Sequence, residues 1–190
     1  LANSLKDSGQ KEEAIETYRK RIEIGGWIEE VWHSYYSMGK CYEEIGQKDR
    51  AICAWMQGYD AFPNRIENLY EIIQHYRVVG KHKLAQLFYD IANESRNKYK
   101  ERDYLFMQKD VYDYKLDYEL SIFGYYYNPR NVDLASLSMH ILAYPHIDDG
   151  IARNVLSNYK FYSKRLCDYD TKKWEENGLG DILLNIGSKL

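Results

Sequence analysis

Glycine, alanine and a large aromatic residue recur in this chain at fixed offsets, and the recurrence limits the fold more than any other feature. Gly46 has one counterpart 37 residues earlier, Gly9, and another 34 residues later, Gly80. The same shifts carry Ala51 to Ala14 and Ala85, Trp55 to Tyr18 and Tyr89, and Tyr42 to Leu5 and Tyr76. Four columns in register over three copies predict a helical hairpin repeated three times. In each copy the glycine closes the first helix, where a left-handed residue costs little only without a Cβ. The alanine sits where the second helix approaches too closely for a larger side chain. The aromatic, one turn further along that face, fills the gap between hairpins. Pro63 stops the second helix of the middle copy, and Asn64 is placed to cap the helix that follows.

A helix–turn–helix unit of this length resembles the tetratricopeptide repeat. The middle copy carries the likeness as Tyr35, Met38-Gly39, Tyr42, Gly46, Ala51, Trp55, Gly58 and Pro63. The third carries it as Leu69, Ile72-Ile73, Tyr76, Gly80, Ala85, Tyr89 and Ala92, with Asn97 at the proline column. The first runs Leu1-Ala2, Leu5, Gly9, Ala14 and Tyr18, and then departs with Arg21 where a small residue is expected. Gly25-Gly26 breaks its second helix, and Trp27 is expected to pack back into the enlarged gap. Because this copy starts at the seventh position of its repeat, the chain reads as part of a longer protein. The resemblance implies an all-α, right-handed superhelix of antiparallel helix pairs, three of them in residues 1–97.

Residues 98–145 read as a divergent fourth hairpin. Val111, Tyr114, Tyr118, Ser121, Ile122 and Tyr125 form a stripe at helical spacing, Asn128-Pro129 makes the turn, and a helix is predicted from Asn131 through Ala143. Asp148 or Asp149 then caps a helix running through residues 150–166, with Ile151, Val155, Tyr159 and Tyr162 on one face. That C-terminal helix, in 146–166, is the expected cap of the array. Residues 167–190 are polar and then weakly amphipathic.

Composition narrows the function. Among 190 residues, 26 are basic and 29 acidic, for a net charge of −3, with no concentrated basic patch for nucleic acid. Cys41, Cys53 and Cys167 are widely spaced and lack nearby histidines, which argues against zinc and against a disulfide framework. No apolar run has the length of a membrane span. A cytoplasmic location, without membrane, nucleic acid, metal or cofactor, is therefore expected. His75 and His82 flank a turn without a metal-binding pattern. Asp168-Tyr169-Asp170 has the form of a metal-holding triplet, but nothing around it predicts the strands such a triplet needs. No catalytic residue is assigned.

In a tetratricopeptide array the first helix of each hairpin lines a concave groove, through the second, fifth, ninth and twelfth positions of the repeat. Here the resemblance assigns Asn3 and Lys6 to that groove, then His33, Tyr36, Lys40 and Glu43, then Glu67, Tyr70, Gln74 and Arg77. Tyr36 and Tyr70, with Lys40 and Arg77, have the chemistry to grip an extended peptide, a partner loop or a glycan. For these two tyrosines, groove contact and simple packing both stay open. Asn3 alone does not make a carboxylate clamp of the chaperone-binding kind.

A second likeness rests on Arg21, Gly25-Gly26-Trp27, Glu29-Glu30-Val31-Trp32, Pro63, Arg65, Glu67, Leu69-Tyr70, Tyr76-Arg77, Leu105-Phe106 and Asp110-Val111-Tyr112. These are similar to the helical-repeat region that follows a family 2 glycosyltransferase domain in some multidomain glycosyltransferases. The resemblance implies a covalently linked upstream catalytic domain and a non-catalytic interaction module here. Its partner is a protein or peptide in the groove, and a glycan acceptor stacking on Tyr36 and Tyr70 is the alternative. A stand-alone adaptor is a further one.

Overall fold

The computed structural model describes residues 2–98 and 104–163, and among these every regular element is helical, with no strand. The order is α1 (Ala2–Asp7), α2 (Lys11–Ile24), α3 (Ile28–Glu44), α4 (Lys48–Ala61), α5 (Glu67–Val78) and α6 (His82–Lys98). A π-helical turn, Val111–Lys115, then runs into α7 (Leu116–Phe123), followed by α8 (Leu134–Leu142) and α9 (Asp149–Tyr159). Each helix packs on the next in chain order, and α7 also meets α5 and α9.

The three glycine closures share one hydrogen-bonding pattern. After α3, the Gly46 amide donates to Glu43 and the Gln47 amide to Tyr42, with Gly46 at φ +78°. Those two bonds and the left-handed glycine make a Schellman cap, which satisfies carbonyls the helix end would leave bare. The same pair of bonds recurs from Gly9 and Gln10 to Lys6 and Leu5, and from Gly80 and Lys81 to Arg77 and Tyr76. The Leu5, Tyr42 and Tyr76 column thus supplies the carbonyl of the wider-spanning closure, which is the shorter bond of each pair.

The other columns occupy equivalent positions. Ala14, Ala51 and Ala85 are all 0% exposed, and Tyr18, Trp55 and Tyr89 are buried with them in the main core. That core runs from Ala14 through α5 and α6 to Phe123. A smaller one joins Tyr114 to Ile141, Leu142 and Val155. Tyr112 belongs to the first core and Tyr114 to the second. Side chains two residues apart on a helix point about 200° apart, so the Val111–Lys115 turn can serve both.

Several boundaries differ from the sequence expectation. Asn64 caps nothing: α5 starts at Glu67 after Ile66, without a side-chain cap. The helix expected from Asn131 begins at Leu134, because Asp133 accepts from the Ala135 and Ser136 amides at 3.0 and 3.2 Å. Asn128 brackets the preceding turn, exchanging two hydrogen bonds with the Val132 backbone. Asp148 caps α9 as expected, but that helix ends at Tyr159 in a turn and does not continue through Tyr162. Trp27 is 50% exposed and walls, without filling, a cavity of about 390 Å³ beside Arg21. No helix of the described residues is long and apolar enough to cross a membrane. Cys167, the Asp168-Tyr169-Asp170 triplet and the rest of the C-terminal stretch lie outside the described residues.

Candidate functional site

The face of α3 and α5 predicted to be an open groove is crossed by the chain's own residues 104–108. Arg65, in the turn before α5, is the centre of the crossing and is 0% exposed. Its guanidinium lies 3.6 Å from the centroid of the Trp32 ring, a cation–π contact. Arg65 Nη2 donates to Glu67 Oε1 at 2.6 Å, and Nη1 donates to the Leu105 carbonyl at 2.7 Å. Nη2 also reaches the Phe106 carbonyl at 3.4 Å. Arginine suits this place because its planar fork carries several donors and remains charged when buried.

Glu67 is equally buried. Besides Arg65 it accepts from the Tyr112 hydroxyl at 2.8 Å and from the Gln108 amide at 3.3 Å. Burial, and after it the Glu67 charge, push the Tyr112 phenol above its ordinary value. The expectation that Glu67 faces an open groove is therefore corrected: the Arg65 pair and the crossing segment enclose it.

Tyr36 continues the network one turn along α3. Its ring stacks on Trp32 with centroids 5.3 Å apart, its hydroxyl donates to Glu71 at 2.8 Å, and it accepts from Gln108 Nε2 at 2.8 Å. Burial first, then Glu71, holds this phenol above its ordinary value. Lys40 bridges Glu71 and Glu43 at 3.0 Å each. Burial acts to lower the Lys40 value, but the two carboxylates prevail and raise it. Glu43, where burial acts the other way, is held low by Lys40 and Lys48.

The remaining predicted residues are divided. Tyr70 is buried, its phenol raised by burial and then by Glu119. Arg77 pairs with Glu119 of α7, and Gln74 is half-buried on the same helix. Asn3 accepts from the Tyr18 hydroxyl at 2.6 Å. His33 meets the Phe106 ring at 5.4 Å, and burial, helped by the Lys6 and Arg65 charges, lowers its value and keeps it neutral at pH 7. Lys6 pairs with Asp7 at 4.0 Å and adds its charge to the field at His33. Tyr36, Lys40, Glu43 and Glu67 thus join one network, Arg77 and Tyr70 a neighbouring one around Glu119, and Asn3 and Lys6 stand at the edge.

Sequence reasoning missed Glu71, Gln108 and Glu119 as members of these networks. Glu71 had a signal, since it lies one helical turn from Glu67 on the same helix. Glu119 directly precedes the run "LSIF", between Leu116 and Leu120, both buried. Among the described residues its Oε1 has no hydrogen-bond partner within 3.5 Å, and burial raises its value despite the Arg77 guanidinium and the Tyr70 hydroxyl. A folded-state value above the ordinary 4.5 means that the unfolded chain gives up this proton first. The stability contribution is full below about pH 4.5 and erodes as pH rises through the folded value. Denaturant unfolding of the wild-type chain and of Glu119→Gln, measured from pH 4 to pH 8, should show wild-type losing stability relative to the variant as pH rises. A constant difference would mean that Glu119 titrates alike in the folded and the unfolded chain.

Residues carrying the second sequence likeness converge here. Arg21 pairs with Glu30, Glu29 accepts from the Leu105 amide at 2.6 Å, and Trp32, Arg65, Glu67, Leu105 and Tyr112 meet in the buried centre. Among the described residues no group of three His, Cys, Asp or Glu side chains could hold a metal ion. Chemically, the arrangement binds extended backbone: its charged groups take amides and carbonyls, and its phenols remain protonated. No family model, curated protein or solved structure matches the chain.

Proposed function

We infer that the chain is a non-catalytic interaction and scaffold module, a tetratricopeptide-type right-handed superhelix that serves as the repeat region of a larger glycosyltransferase. In that setting it positions the catalytic domain, an acceptor or a partner. The observation that carries the reading is the equivalence of the columns: the same cap, the same fully buried alanine and the same buried aromatic in three successive hairpins. Repeats of this kind form extended surfaces for partners. The glycosyltransferase setting rests on the second sequence likeness, several of whose residues, Glu29, Trp32, Arg65, Glu67, Leu105 and Tyr112, are joined in one contact network.

Sugar stacking on Tyr36 and Tyr70 is the weaker alternative. One face of Tyr36 is taken by Trp32, its hydroxyl is engaged by Glu71 and Gln108, and Tyr70 is buried, so the two do not form an open stacking platform. The test is to express the chain with the coding sequence preceding Leu1 and to measure nucleotide-sugar turnover. Turnover by the extended protein and none by residues 1–190 alone supports the reading. Turnover by residues 1–190 overturns its non-catalytic part, and an extended protein with no transferase activity overturns its setting.

A further inference from the structure

The segment that crosses α3 and α5 is held in the manner of a bound peptide. The site takes the Leu105 amide on Glu29, the Leu105 and Phe106 carbonyls on Arg65, and the Gln108 amide on Glu67. Four of its contacts are thus to main-chain groups, which any sequence could supply. Side chains are read as well: Tyr104 against Phe62, Phe106 against His33, Met107 against the main core, and Gln108 by the Tyr36 hydroxyl.

The fit of these residues is incomplete. Phe106 is 70% exposed although its ring meets His33, and its φ of +54° is left-handed. A bulky non-glycine residue there carries a cost of order 1 kcal/mol or more. Directly beside Leu105 and Phe106 lies the cavity of about 390 Å³, walled by Trp27, Tyr18 and His33 and rimmed by the Arg21–Glu30 pair. Space for a deeper aromatic side chain exists where the resident one lies outside.

We propose that residues 104–108 are the resident occupant of a peptide site, and that a partner segment takes the site by displacing them. The partner is an extended stretch with an aromatic side chain followed two residues later by glutamine. The incoming segment repeats the main-chain bonds to Glu29, Arg65 and Glu67, and buries its aromatic in the cavity that Phe106 leaves empty. The resident, being tethered, competes at an effective concentration on the order of millimolar. Wild-type protein therefore binds such a segment weakly until the resident is released. The proposal rests on the reading of the chain as an interaction module, and specifies how that module is occupied and regulated.

The probe is a labelled peptide with the sequence of residues 103–109, titrated by fluorescence anisotropy. The proteins are the wild-type chain and a full-length variant with residues 104–108 replaced by Gly-Ser-Gly-Ser-Gly. The variant should bind at least about tenfold more tightly than wild type, as expected when a tethered competitor is removed. Adding Glu29→Gln to the variant should weaken binding several-fold. A helical, cooperatively folding variant that binds no peptide overturns the proposal, as does equal binding by both proteins.

If the replacement prevents folding, hydrogen exchange of the wild-type Leu105 and Gln108 amides decides. Exchange through a local opening, faster than that of the Ile73 amide in α5, supports displacement. Exchange only by global unfolding overturns it. A transferase partner domain that binds wild type and variant alike, indifferent to Glu29→Gln, leaves the interaction module standing and removes only the resident-occupant site.

Discussion

Arg65→Ala lowers stability by about 3–5 kcal/mol, because it leaves the Glu67 carboxylate buried without its counter-charge. For a chain of this length that corresponds to a fall in melting temperature on the order of 10 °C. The loss extends beyond one ion pair: the Leu105 and Phe106 carbonyls lose their donor, and the Trp32 ring loses the guanidinium packed on it. Arg65→Lys recovers only part of this, since an ammonium cannot span Glu67 and the Leu105 carbonyl in one plane. Arg65→Met with Glu67→Leu removes both charges and should be less damaging than Arg65→Ala alone. It does not reach wild type, because the Tyr112 hydroxyl and Gln108 amide then lack their acceptor. Thermal or urea unfolding of the four proteins checks the ranking. A near-neutral Arg65→Ala would mean that water reaches Glu67 and the pair is not buried in solution.

The residues legible in the sequence are those whose constraint is local. A left-handed closure selects glycine at Gly9, Gly46 and Gly80 whatever surrounds it, and close helix approach selects alanine at Ala14, Ala51 and Ala85. Both therefore recur as columns. The crossing segment left no comparable trace. Arg65 and Leu105 meet over 40 residues of chain, and the atoms that Arg65 recognises are carbonyls, which every residue possesses. The repeat positions assign Tyr36, Lys40 and Glu67 to one face, where the structure joins them in one network, but they say nothing of what lies over that face. The helix ends went astray for a similar reason. Asn64 and Asp133 both have capping side chains, and whether one caps depends on the turn geometry around it: Asp133 reaches two amides, whereas at Asn64 the chain runs on through Arg65 before α5 begins.

The packing of Trp55 against Gly39 carries the other large effect. Trp55 is 1% exposed, and its Nε1 donates to the Tyr36 carbonyl at 3.2 Å, fixing the indole across α3. A Cβ on Gly39 would stand 2.2 Å from that nitrogen and 2.5 Å from Cδ1. The ring fills the place where Gly39 has no side chain. Trp55→Ala should therefore cost about 3–5 kcal/mol in lost burial and cavity formation. Gly39→Ala sets two terms against each other: a gain of about 1 kcal/mol from helix propensity, and an overpacking cost of about 1–3 kcal/mol. Since the overlap is with a buried ring held by a hydrogen bond, the cost prevails and the single variant is destabilised. With Trp55 replaced by alanine the overlap is gone and only the propensity gain remains, so Gly39→Ala becomes stabilising. A double-mutant cycle by urea unfolding reads this reversal of sign as a coupling of about 1–3 kcal/mol. Equal destabilisation by Gly39→Ala in both backgrounds would show that something other than the indole demands glycine at this position.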